Sequence, residues 1–166
     1  AKDTFLLSPI KSIVENLSDD LIFRPATMQD AELLLAWRND FATMRNSFSQ
    51  GVIDLENHVQ WLENIISDPK SVLWIVLNCD RIPVGQIRFD IEDAEAEISI
   101  SIAPEWRGRG CSTRAIMFGT LKFLDAHKGV NKILAQVKIT NLASQKAFER
   151  GGYDRQNEKD GVVSYE

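Results

Sequence analysis

Arg107-Gly108-Arg109-Gly110-Cys111-Ser112 stands between a strand-like run, Ala96 to Ile102, and a helix-like run, Thr113 to His127. Strand, glycine-rich turn, helix is a local architecture that offers backbone N–H groups to an anion. The first turn of a helix has unpaired donors and the positive end of a dipole. Glycine lets a phosphate approach the backbone with no Cβ in the way. The hexapeptide is not a Walker loop, because no Gly-Lys-Ser/Thr follows at the required spacing. It is not the dinucleotide fingerprint either, since Ser112 stands where a third glycine belongs. It reads as a candidate pyrophosphate cradle.

A second block strengthens this reading. Lys132 to Ile139 has the character of a strand. Asn141-Leu142-Ala143-Ser144 then opens a short helix that ends at Gly151-Gly152, followed by Tyr153. Asn141 is a good N-cap and the glycine pair a good C-terminal stop. The first loop resembles the acyl-CoA loop of the GCN5-related N-acetyltransferase (GNAT) family, Arg/Gln-x-x-Gly-x-Gly/Ala, here Arg107-x-x-Gly110-x-Ser112. The second resembles that family's Asn-x-x-Ala/Ser block. The resemblance spans about Leu21 to Tyr165.

Working outward, Leu21 to Arg24 reads as a first strand stopped by Pro25. Thr27 caps a helix to about Asn39, with Asp30 where a capping box wants an acid. Asp54 caps a second helix, with Leu55, Val59, Leu62 and Ile66 on one face and Pro69 after its end. Val72 to Leu77, Val84 to Phe89 and Glu95 to Ile102 read as strands joined by short turns, hence antiparallel neighbours. A hairpin around Lys159-Asp160-Gly161 closes the chain. The order β, α, α, three β, α, β, α, β, β is α/β. The resemblance implies the GNAT acyltransferase fold, a central, mostly antiparallel mixed sheet flanked by helices. Residues 1–20 read as an N-terminal extension or linker, where Pro9 interrupts a run of aliphatic residues. Residues 21–166 read as the acetyltransferase domain.

Composition sets bounds. At 166 residues, with 44% hydrophobic and 26% charged residues, the chain matches an ordinary globular domain large enough for a core. A net charge of −5 argues against a general nucleic-acid binder. No apolar run approaches a membrane span and no signal peptide opens the chain. Cys79 and Cys111 lack metal-site spacing, and no metal is expected. The expected location is the cytoplasm. Fusion to an upstream domain and homodimerisation are left open.

The resemblance implies acetyl-CoA as cosubstrate and a primary amine of a small molecule as acceptor. Ile102, Arg107, Gly108, Arg109, Gly110, Cys111 and Ser112, with Asn141 and Ser144, are the implied cofactor contacts. For the base, Glu95, Glu97, Ser99 and Ser101 alternate with Ala96, Ile98, Ile100 and Ile102, which puts the polar set on one face. Family bases are often carboxylates on this strand, so Glu97 is the first candidate and Glu95 the second. The family often places a tyrosine acid seven residues after the Asn141 position, but here it is Phe148. That leaves Ser144, a water, or unassisted departure of the thiolate.

Trp37-Arg38-Asn39, Arg45 and the helix with His58 and Trp61 resemble acetyltransferases of nucleotide-linked amino sugars, the pseudaminic-acid type. Trp37, Arg38, Asn39 and Arg45 are the implied acceptor contacts. Trp61 reads as a core residue and His58 as a surface or capping one. Two alternatives are an acetyltransferase of protein N-termini, of the ribosomal-protein type, and a non-catalytic acyl-CoA-binding domain.

Overall fold

The computed structural model describes residues 21–166. The expected N-terminal extension, residues 1–20, lies outside the described residues. The strands are β1 (Leu21–Pro25), β2 (Ser71–Asn78), β3 (Pro83–Glu92), β4 (Glu95–Ile102), β5 (Lys132–Lys138), β6 (Arg155–Lys159) and β7 (Val162–Tyr165). The helices are α1 (Ala31–Arg38), α2 (Phe41–Asn46), α3 (Leu55–Ser67), α4 (Cys111–Ala126) and α5 (Leu142–Arg150). One seven-stranded sheet runs β1-β2-β3-β4-β5-β7-β6. Every neighbouring pair is antiparallel except β4–β5, which is parallel. The expected mixed, mostly antiparallel sheet with flanking helices is what the chain forms.

Alternation along the strands divides the interior in two. Val76 of β2, Ile87 and Phe89 of β3, and Ala96 and Ile98 of β4 point to one face, where Ile116 and Phe123 of α4 and Phe148 of α5 complete a buried cluster. Phe89 stacks on Phe123 with centroids 4.1 Å apart, an aromatic contact worth about 0.5–1.5 kcal/mol beyond its area. On the other face Leu73, Ile75 and Leu77 of β2 bury Leu34 and Trp37 of α1 and Leu62 of α3. Helices α1 and α3 therefore cover the β1–β2 side of that face.

Three local features depart from the sequence reading. The helix after Thr27 begins as a 3-10 turn, Met28–Asp30, before α1. Asp30 does accept from the Thr27 amide at 2.8 Å, but it also accepts from Nη1 and Nη2 of Arg24, at 2.8 and 2.7 Å. That pairing, more than the cap, keeps its carboxyl below the usual range. Helix α2 was not expected. It is six residues long with no buried side chain, so it carries no apolar period to read. Helix α4 starts at Cys111 rather than Thr113, because Gly110 itself is the N-cap residue.

His58 also differs from expectation. It is buried, only 2% exposed, and stacks on Trp61 with centroids 5.3 Å apart. Its Nε2 is buried with no partner. Desolvation lowers its pKa below the ordinary 6.5, the charge of Arg38 adds to this, and a hydrogen bond to the Ala31 backbone opposes it. The unfolded chain therefore binds a proton more readily than the fold does. His58 costs no stability above about pH 6.5, and the fold weakens as the pH falls below that value. Denaturant unfolding of wild type and His58→Gln between pH 7.5 and 5 should show a steeper loss in the wild type. Parallel curves would mean that His58 charges freely in the fold.

Candidate active site

The parallel pairing of β4 and β5 covers only Glu95↔Lys132, Ala96↔Ile133 and Glu97↔Leu134. Beyond it β4 continues against β3 alone and β5 against β7. Ile98–Ile102 and Ala135–Lys138 thus diverge and leave a cleft between two strand edges. Such edges carry backbone N–H and C=O groups with no ladder partner, available to the amides of an extended ligand.

The glycine-rich loop lies at the open end of β4. Gly108 and Gly110 have φ of 71° and 75°, the left-handed region that most side chains avoid. A Cβ built on either meets nothing within 4 Å, so the backbone there is open to a ligand. The caps point the same way. Asp40, Asp54 and Asn141 cap α2, α3 and α5 with their side chains, accepting from Thr43, Asn57 and Ser144. Helix α4 begins at Gly110 with no side-chain cap. Its first-turn amides have no intrahelical partner and can be satisfied by an anion. A diphosphate fits this cradle.

The other implied cofactor contacts divide. Ile102 and Cys111 are buried, at 6% and 4% exposure, and both cysteines are free. Ser112 is half-buried on the first turn of α4. The Arg109 guanidinium lies 4.9 Å from the Trp106 ring centroid. Arg107 is bound within the protein: its Nε donates to Ile102 O at 3.1 Å, and its Nη2 to Asp40 Oδ2 at 2.7 Å and Thr43 Oγ1 at 3.0 Å. On α5, the Asn141 amide donates to Ser144 Oγ at 2.9 Å while its Oδ1 accepts from the Ser144 N–H at 3.2 Å. The Ser144 hydroxyl thus keeps its own proton for donation. Phe148 is buried in the core beside Tyr153 and Tyr165. Those phenols are engaged, Tyr153 with Thr120 and Tyr165 with Glu149. Burial pushes the Tyr153 phenol up to about 12.

The face of the sheet that α1 and α3 leave open carries the polar side of β3 and β4. Gln86 pairs with Ser101, Arg88 with Ser99, and Asp90 with Glu97, and residues opposite each other in a ladder share a face. Gln86 donates to Ser101 Oγ at 3.1 Å. Asp90 accepts from Arg88 Nε at 2.8 Å and from Ser71 Oγ at 2.9 Å. Trp61, half-buried on α3 rather than wholly in the core, has the Arg88 guanidinium 5.8 Å from its ring centroid. Glu97 is exposed and is the last β4 residue paired with β5, so it sits where cleft and polar face meet. Glu95 lies two residues deeper in the paired part, 3.6 Å from Lys132 Nζ.

Three of the four implied acceptor residues are buried or bonded within the protein. Trp37 is 5% exposed and belongs to the core beneath α1 and α3, so its ring has no free face for a ligand. Arg38 donates Nη2 to Ser49 O at 2.6 Å, and its Nη1 is buried without a partner. Asn39 bonds Ile53 in both directions, at 2.8 and 2.9 Å. Arg38 and Asn39 therefore fasten the 47–54 loop. Arg45 alone of the four is exposed, with its guanidinium 5.9 Å from the Phe41 ring centroid. Sequence reasoning missed Arg88 and Asp90, although their alternation with Ile87, Phe89 and Ile91 was the available signal. It also missed Asp40 and Lys138, whose partners are distant in the chain.

Among the described residues no helix is long and apolar enough to cross a membrane, and no group of three or more His, Cys, Asp or Glu could hold a metal. The family model described as acetyltransferase (GNAT) domain matches residues 20–154. The chain belongs to the GNAT acetyltransferase family; it is an acetyl-CoA-dependent N-acetyltransferase. A domain from Methanocaldococcus jannaschii is similar in structure, with TM-score 0.76, 26% identity, and coverage of 87% of this chain and 96% of that one. Spermidine N-acetyltransferase from Vibrio cholerae, in complex with CoA and spermine, superposes with TM-score 0.78 at 18% identity, over 89% and 94% of the two chains. AAC(6')-Ib, bound to an aminoglycoside and acetyl-CoA, superposes with TM-score 0.75 at 18% identity, over 88% and 91%. At that identity the last two share the fold. No curated protein matches the chain.

Proposed function

We propose that this enzyme acetylates the primary amine of a small polar acceptor, of amino-sugar type, on the open face of β3 and β4, with Glu97 as general base. The observation that carries the reading is the place of Glu97, exposed at the fork where the β4–β5 cleft opens. The amine must lose a proton as it attacks the thioester carbonyl, and a carboxylate at that fork can take it directly or through one water. The uncapped start of α4 and the left-handed Gly108 and Gly110 would hold the diphosphate of acetyl-CoA. The acetyl thioester supplies the electrophile. Ser144 is the nearby hydroxyl with a proton to give. A thiol pKa near 8.5 also lets the thiolate leave unassisted, consistent with an apolar Phe148 where the family often has a tyrosine acid. The small amines bound by the structural neighbours, spermine and an aminoglycoside, support a small amine over a protein N-terminus. Residues 21–166 would form the acetyltransferase domain.

The finer reading, a nucleotide-linked amino sugar, rests on Arg45, since Arg38 is fastened to the 47–54 loop. Thiol release from acetyl-CoA should be measured against nucleotide-linked amino sugars, aminoglycosides, spermidine and peptides with free N-termini. Small amines should be turned over and peptides should not. Arg45→Ala should raise the KM of a nucleotide-linked acceptor about tenfold, the size of one charge-assisted contact to phosphate, and leave that of acetyl-CoA unchanged. Turnover of peptides alone would overturn the small-amine reading. An acceptor KM indifferent to Arg45 would remove the nucleotide.

A further inference from the structure

Arg88 is a cation that the fold holds in place and leaves half used. It stands on the open face of the sheet, diagonal to Glu97: across the β3–β4 ladder Arg88 pairs with Ser99, and Asp90 with Glu97. On its other side Arg88 faces Leu73 of β2, which is buried with α1 and α3. Arg88 therefore marks the step where the helices end and the open face begins. Trp61 of α3 forms the wall of that step, with its ring centroid 5.8 Å from the guanidinium.

The guanidinium is fixed on its Nε side. Nε donates to Asp90 Oδ2 at 2.8 Å, and Asp90 Oδ1 is itself held by the Ser71 hydroxyl at 2.9 Å. Among the described residues Nη1 and Nη2 have no hydrogen-bond partner, and the side chain keeps 26% of its surface exposed. The Nη end of a guanidinium is a rigid fork that matches two oxygens of a carboxylate or phosphate. A fork already ordered loses little freedom when an anion arrives, so more of the contact appears as affinity. The other open-face residues, Gln86, Asp90, Glu97, Ser99 and Ser101, carry no positive charge, so an anion on this face is met by Arg88.

We propose that the acceptor carries an acidic group, carboxylate or phosphate, beside its amine, and that Arg88 sets this specificity by binding it. The inference rests on the reading that the amine meets Glu97 on the open face. Diagonal neighbours across an antiparallel ladder are about 7–8 Å apart, so one small molecule can reach both. Its amine lies at Glu97 and its acid at the Arg88 fork, and the second contact fixes how the amine is presented to the thioester. A polycationic acceptor has no group for the fork and brings like charge to it.

Matched amines that differ in one anion test this on the full chain, with acetyl-CoA saturating. Glucosamine 6-phosphate is set against glucosamine for phosphate, and 6-aminohexanoate against hexylamine for carboxylate. In the wild type kcat/KM should favour the anionic member of at least one pair by about tenfold or more, the size of one charge-assisted contact, and that pair identifies the anion. Arg88→Met keeps the stem and removes the fork. It should bring the ratio close to one, with the Kd for CoA within about twofold of wild type. Arg88→Lys keeps the charge without the fork and should recover part of the preference. The ratio within each pair cancels any general loss of activity in a variant. No preference in the wild type for either anion would overturn the proposal and leave the small-amine reading standing. A preference that survives in Arg88→Met would also overturn it. Should none of the four amines be turned over, the small-amine reading fails, and equilibrium binding of glucosamine 6-phosphate and 6-aminohexanoate to the CoA-loaded protein decides the anion contact. A Kd about tenfold weaker in Arg88→Met would support it, and no binding or an unchanged Kd would end it.

Discussion

Replacing Glu97 by Gln is expected to lower kcat on the order of a hundredfold, the low end for loss of a general base. The substitution keeps shape and hydrogen-bonding capacity and removes basicity. The effect should fall on kcat, because Glu97 lies on the open face, whereas the proposed diphosphate cradle is the backbone around Gly108 and Gly110. The pH profile separates a lost base from a lost contact. At high pH the acceptor amine arrives neutral and needs less help, so the Gln variant should recover part of its rate there. Glu95→Gln should do less, since Glu95 is paired with Lys132 and lies deeper in the β4–β5 ladder. A larger loss in Glu95→Gln would mean the right strand face and the wrong residue. Full activity of both variants across the pH range would mean that the proton leaves through water alone.

Gly110→Val should weaken acetyl-CoA binding by about tenfold or more and leave the protein folded. Within the protein a Cβ at Gly110 meets nothing, so no packing is lost. The cost comes from φ of 75°, which a β-branched residue adopts only under strain, and from a side chain standing where the diphosphate approaches. Ligand-induced stabilisation reads this directly. A ligand at a hundred times its Kd adds about 2.7 kcal/mol to stability, and a tenfold weaker Kd removes about 1.4 of that. The wild type should therefore gain a clearly larger Tm shift than the variant at the same acetyl-CoA concentration. An equal shift in a folded variant would show that the anion is not held at this turn.

The loop, the strands and the larger helices were legible in the sequence because each is governed by local chemistry. Alternation in Glu95 to Ile102 named both faces of β4, and its bounds match the observed strand. Asp54 and Asn141 were read as caps and are caps, since a short polar side chain before an apolar period has few other uses. What the sequence did not show is how long polar side chains choose partners. Arg107 carries the acyl-CoA loop signature, yet it reaches Asp40, 67 positions away in the chain. Arg38 and Asn39 sit in a stretch that resembles an acceptor site, yet they fasten the 47–54 loop. His58 looks polar and belongs to the interior.

By itself the sequence determined the order and type of most elements and the place of the glycine turn. Period and capping act over a few residues, and glycine's freedom acts at one. Only the tertiary structure decided where β4 and β5 part and which carboxylate stands at that fork. Those features depend on register and on contacts between residues far apart in the chain, whose energies no local pattern carries.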